Sequence, residues 1–183
     1  CNGIYGIEIG WAGPRRRGLS GKLPLPAVQS RAWLVTCHAE LGTFIEGRVL
    51  GDEGLRIAEE VGHLASLMFA SWGMGLLSLR QGNLPRALPM LERAVGLCQD
   101  VDLPVWFPWT AAALGAAYTL AGRVADAISL LPQAMEQTIG MAMGGLQVLC
   151  RLSLGEAYLL AGRLEDAHAL TEGALVLVRA HQE

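Results

Sequence analysis

Four histidines, four cysteines and adjacent acidic pairs such as Glu59-Glu60 and Glu165-Asp166 are the side chains of this 183-residue chain best suited to proton transfer, nucleophilic attack or metal binding. Each of those chemistries needs several groups converging on one point. His38, His63, His168 and His181 are scattered, and no two of them share a helical face at ligand spacing. Cys1, Cys37, Cys98 and Cys150 lack the close pairing of metal-binding cysteines. Glu59-Glu60 and Glu165-Asp166 are sequence neighbours, which read as helix-surface charge. Gly13 to Lys22 holds glycines, the run Arg15-Arg16-Arg17 and a lysine, but a phosphate loop ends in Gly-Lys-Ser/Thr. Here Leu19 follows Gly18 and Leu23 follows Lys22, so the amide cradle and the Mg²⁺-binding hydroxyl are missing. The residues therefore predict no catalytic site, no metal and no cofactor.

Fourteen basic and 17 acidic residues leave a net charge of −3, too weak a field to favour nucleic acid or an anionic membrane. Three cysteines fall on apolar faces of predicted helices, which suits reduced thiols in a cytoplasmic protein. Leu103 to Gly122 carries no charge, but Pro104 and Pro108 interrupt its start. Its second half also aligns with Leu152 to Gly162, which contains Glu156; a buried helix is expected there rather than a membrane span. The start of the chain has no charged-then-apolar order, so no signal peptide is evident in it, and opening on Cys1 suggests a fragment or a processed start.

The elements that must carry any function repeat along the chain. Gly42, Gly82, Gly122 and Gly162 recur at a period of 40. Two positions on, the residue is apolar each time (Phe44, Leu84, Val124, Leu164); five positions on it is tiny (Gly47, Ala87, Ala127, Ala167). Such a period marks stacked supersecondary units. First helices are predicted at 27–41, 65–81, 105–121 and 143–161, and second helices at 44–61, 84–100, 124–139 and 164–180. The two-residue connection at each glycine makes the paired helices antiparallel. Residues 1–26, rich in breakers, form an irregular arm. Residues 27–183 form the repeat domain, with units at 27–62, 63–103, 104–141 and 142–183. Gly75, Gly115 and Gly155, with Ala94, Ala134 and Ala174, are expected where backbones approach closely. Repeat one departs, having Val35 at the glycine position and Gly47, Gly51 and Gly54 loosening its second helix; Pro132 should kink the sixth helix.

This wording resembles the tetratricopeptide repeat family, in its long-helix variant. Leu154-Gly155, Tyr158, Gly162, Leu164, Ala167 and Ala174 match the pattern, as do Leu114-Gly115, Tyr118, Gly122, Val124, Ala127, Leu131 and Ala134. Repeat two keeps Gly75, Gly82, Leu84, Ala87, Leu91 and Ala94, with Ser78 in place of the aromatic. The resemblance implies an all-α, right-handed solenoid of about four antiparallel pairs, eight helices in all. Pro104 to Trp109 and Leu160 to Arg163 are similar to the repeat regions of bacterial class III adenylate cyclases and MalT-like LuxR regulators. Neither the cyclase nor the ATPase motifs occur here, so that chemistry does not transfer.

The same resemblance implies that first helices line a partner-binding groove. Helical spacing then places Phe69, Trp72, Leu76 and Arg80 on one face, with Trp109 and, a turn earlier, Trp106 beside them. Leu149, Leu152 and Glu156 follow from the fourth repeat, and Gln29, Ala32, Thr36 and Glu40 from the first. The expected role is a protein- or peptide-binding scaffold in a bacterial signalling or transcription-regulatory protein. The alternative is a small-molecule sensor enclosing its effector among Trp72, Trp106 and Trp109. Ala174 to Val178 is apolar all round, so something should cover the last helix: further chain, the amino-terminal arm, or a second copy in a homodimer.

Overall fold

The computed structural model describes residues 23–141 and 143–180. The arm up to residue 22, with Cys1 and Arg15 to Arg17, and His181 lie outside the described residues, as does Ala142 at a repeat boundary.

Among the described residues there are eight α-helices and no strands. They are α1 (Pro26–Leu41), α2 (Phe44–Val61), α3 (Leu64–Arg80), α4 (Leu84–Asp100), α5 (Phe107–Leu120), α6 (Val124–Gly140), α7 (Gly144–Leu160) and α8 (Leu164–Ala180). Each helix packs on its hairpin partner, and each second helix on the first helix of the next unit. The fold is an all-α solenoid of four antiparallel helix pairs.

The four period-setting glycines sit at the corners within the hairpins, with φ of +75° or +76°. An L side chain is strained there, and glycine is not. The following amide closes each corner back on the helix: Asn83 N donates to Ser78 O at 2.8 Å, and Arg123 N to Tyr118 O at 2.8 Å. Gly62 and Asp102, in register between repeats, also have positive φ (66° and 52°).

The small residues behave differently from one repeat to the next. A Cβ on Gly75 would lie 2.6 Å from Leu91, and one on Gly115 would lie 2.6 Å from Leu131. Gly155 was expected to be equally tight, but its nearest neighbours would be 3.7 Å away, an ordinary contact. The cause is Thr171, which stands in register with Leu91 and Leu131 and turns its hydroxyl to Ala167 O at 2.9 Å. Repeat one inverts the arrangement: Val35 is the large member and Gly51 the small one, and Met74 fills the space over Gly51. Gly47 is likewise pressed against Leu77 and His38. These glycines therefore do not loosen α2, which is continuous; they let Met74 and Leu77 reach the core. Pro132 is carried within an unbroken α6, as Pro89 is within α4.

Helix α5 begins at Phe107, two residues later than expected, because Pro108 takes the first turn and the chain from Val101 to Trp106 forms turns. It runs only 14 residues and its Ala111, Leu114 and Ala117 are buried, while no described helix is long and apolar enough to cross a membrane. On α8, Leu175 and Val178 are 51% and 41% exposed, although Val95 and Cys98, in register on α4, are 7% and 1% exposed beneath α5.

Candidate groove on the first helices

The first helices sit side by side, so residues 40 apart line up across them. Trp33, Thr36, Cys37 and Glu40 project from α1 at helical spacing, and Trp72, Leu76, Leu79 and Arg80 from α3. Helix α5 adds Trp109, Ala112, Ala113 and Ala116; helix α7 adds Leu149, Leu152, Ser153 and Glu156. Together they bound an apolar groove of about 790 Å³.

Its aromatic end depends on one close approach. A Cβ on Gly73 would come within 3.2 Å of Ala32 O, so the backbones of α1 and α3 nearly touch. That contact brings Trp33 and Trp72 edge to face, with ring centroids 5.1 Å apart. Trp109 completes the trio, 5.9 Å from Trp33 and 6.2 Å from Trp72. Perpendicular indoles at these separations match the preferred quadrupole geometry. They also fill the space between them, so the trio is a wall rather than a cage. Trp72 is 5% exposed, and its buried Nε1 donates to no acceptor among the described residues.

Nine expected groove residues, Thr36, Glu40, Trp72, Leu76, Arg80, Trp109, Leu149, Leu152 and Glu156, do line this space, and Gln29, Ala32, Phe69 and Trp106 do not. Phe69 is 1% exposed and turned into the core, where Trp106 packs against it at 4.5 Å. Trp106 is the residue before α5 rather than a part of it, and the late start of that helix folds it over Phe69. In repeat one, Ala32 is buried and Trp33 takes the groove position. The signal for Trp33 was present, since 33, 36, 37 and 40 form one stripe.

Charge at the rim is sparse. Arg80 Nε meets Glu40 Oε1 at 2.8 Å, rather than Glu156; with both side chains about half exposed, such a pair contributes well under 1 kcal/mol. Glu156 is exposed and has no ion-pair partner among the described residues. Cys37 is exposed in the groove, whereas Cys98 and Cys150 are buried. Burial pushes both buried thiols up to about 11.

A second depression, of about 470 Å³, lies on the second-helix side between α4 and α6. Its charges engage one another. Arg123 bonds Glu92 at 2.8 Å and Asp126 at 2.6 Å, and its guanidinium stacks over Tyr118 at 4.1 Å. Tyr118 OH donates to Glu92, and its pKa is raised by burial first and by that carboxylate second. Arg163 repeats the stack over Tyr158 at 4.1 Å, and in repeat one His38 Nδ1 meets Thr43 Oγ1 at 2.6 Å instead. These side chains brace corners. Among the described residues no three His, Cys, Asp or Glu groups gather as metal ligands would.

No protein family matches the sequence, and no curated protein matches it. Among solved structures, it is similar to two from Podosopora anserina described as "putative kinesin light chain nearly identical TPR-like repeats". Each is 15% identical to it. One, a point variant, has a TM-score of 0.41 and covers 85% of this chain and 96% of its own. The other has a TM-score of 0.40 and covers 88% and 100%. The helical-hairpin architecture here rests on this chain's own geometry, and partner and activity must be sought on its own surface.

Proposed function

We propose that this protein is a tetratricopeptide-like interaction scaffold whose groove docks a segment of another polypeptide. The observation that carries the reading is the groove itself: apolar side chains from four helices, backed by three locked indoles, with few charges to desolvate. Adjacent packed helices lie about 8–10 Å apart, so the lining from α1 to α7 extends roughly 25–30 Å. That length suits several residues of a helix or strand meeting apolar anchors at intervals. A sensor would need an enclosed chamber among the indoles, and their centroid separations of 5.1–6.2 Å leave none between the rings. From the resemblance of its repeat wording, we place the scaffold in a cytoplasmic bacterial signalling or transcription-regulatory protein.

Cys37 provides the test, because it is an exposed thiol inside the groove. A photo-crosslinker attached there, in a Cys1→Ser background, should capture a polypeptide. The exposed-site changes Trp33→Ala and Leu152→Glu should abolish that capture while helicity stays unchanged. Capture that ignores both changes, or tryptophan fluorescence that responds to metabolites and to no peptide, would overturn the reading.

A further inference from the structure

The groove varies in depth along its length, and the repeat register shows why. Position 72 is Trp on α3; 40 residues on, α5 has Ala112, and 40 further, α7 has Leu152. Position 76 is Leu on α3, followed by Ala116 on α5 and Glu156 on α7. At both levels the middle helix presents a methyl group where its neighbours present long side chains, and all of these residues line the same space. Ala113 adds a third methyl. The result is a notch over α5, walled by Trp72 and Leu76 on one side and Leu149 and Leu152 on the other, with Trp109 at its end. Inside the protein, gaps over small residues are filled by a neighbour's large side chain, as Leu91 fills the gap at Gly75. Here no described residue fills it.

The notch has one charged edge. Glu40 is answered by Arg80, whereas Glu156, one turn beyond Leu152 on the notch wall, has no ion-pair partner among the described residues. A carboxylate beside an apolar pocket attracts a cation carried next to an apolar anchor.

The geometry points to a polypeptide partner that inserts one large apolar side chain, of the size of Phe, Trp or Leu, into the notch over Ala112, Ala113 and Ala116. The same partner carries Lys or Arg about one helical turn from that anchor, against Glu156. This assignment rests on the groove being a docking site. It goes further, to the class of sequence recognised.

A displayed library of random dodecamer peptides, selected on the intact chain and on two variants, tests it. The unmodified protein should enrich peptides with a single large apolar residue and a basic residue three or four positions away. Ala116→Leu, which restores on α5 the side chain that α3 has in register, should weaken those peptides roughly tenfold or more and shift selection to smaller anchors. Glu156→Lys should keep the anchor and exchange the basic neighbour for an acidic one. Both variants should keep the melting temperature of the parent, Glu156 being exposed and Ala116 facing the groove. An anchor size indifferent to Ala116→Leu, or a basic preference that survives Glu156→Lys, overturns the assignment while leaving the groove as a docking site. A library from which the unmodified chain enriches nothing overturns both.

Discussion

Gly75, Gly115 and Gly155 occupy one register position on three first helices, yet the packing around them predicts opposite responses to the same substitution. Alanine favours a helix interior over glycine by about 0.5–1 kcal/mol. At Gly155 the new methyl meets Thr171 and Ala167 at 3.7 Å, so the propensity gain should appear undiminished. At Gly75 and Gly115 the methyl would lie 2.6 Å from Leu91 or Leu131, about 1 Å inside normal contact, and both leucines are fully buried. Overpacking of that kind costs about 1–3 kcal/mol. Because the propensity term is common to all three sites, Gly75→Ala and Gly155→Ala should differ by the steric cost alone. For a domain of this size each kcal/mol moves the melting temperature by about 2–4 °C. The variants should therefore separate by roughly 2–12 °C in helical circular dichroism, with Gly155→Ala at or above the parent and Gly75→Ala below it. Repeat four also suggests the rescue. In a Leu91→Thr background, which copies the Gly155 and Thr171 pairing, alanine at 75 should cost no more than alanine at 155. Equal melting temperatures for all three single variants, or a Gly75→Ala penalty that persists in the Leu91→Thr background, would refute the complementarity between the two positions.

The buried thiols give a pH-dependent prediction. Cys98 and Cys150 ionise near 9 in the unfolded chain and only at about 11 when buried, so their contribution is complete below pH 9 and is lost as pH rises towards 11. The loss should reach about 2–3 kcal/mol per thiol, and urea titrations of the Cys98→Ala, Cys150→Ala double variant should show a flatter profile across that range. A slope identical to the parent's would remove the thiols from the account. At the far end of the solenoid, Leu175→Lys with Val178→Lys should change the stability by no more than about 0.5 kcal/mol for each substitution, since both residues are half-exposed. If two copies pair through α8, sedimentation should show that association lost in the same variant; a dimer that survives it would exclude α8 as the seam.

The helical scaffold was legible because its signals are local and recur. The corner glycines must adopt positive φ, Pro26 opens the first helix, and the tiny residues five places after each corner mark contacts; each of these depends on a few neighbouring residues. Side-chain destinations depend on more. Phe69 shares a stripe with Trp72 and was expected beside it in the groove, but its position is decided by Trp106, 37 residues away, and by the two-residue delay of α5. Trp33 falls outside the repeat register, in which Ala32 is the formal counterpart of Trp72. The approach of Ala32 to Gly73 buries the alanine and turns the next residue outward. The tightness at Gly155 was overstated for the same reason: a glycine's role is set by the residue facing it, and Thr171 is not Leu91.

That contrast explains where recognition can reside in such a chain. Two positions that touch another helix stay small in every unit: Gly47, Ala87, Ala127 and Ala167 are buried after each corner, and Gly54, Ala94, Ala134 and Ala174 are buried further along, while the facing positions 75 and 91 and their counterparts vary only as matched pairs. Positions on the groove run more freely: Trp72, Ala112 and Leu152 at one level, with Trp33 in place of the buried Ala32, and Thr36, Leu76, Ala116 and Glu156 at the next. A periodic backbone thus delivers side chains to one line at fixed intervals, and the departures from periodicity supply depth and charge along that line. The two largest departures, alanine for tryptophan on α5 and glutamate for leucine on α7, lie next to each other. A binding preference written there would be altered by changing Ala116 or Glu156 without disturbing a single inter-helix contact of the constant set, and the peptide selections separate those two effects.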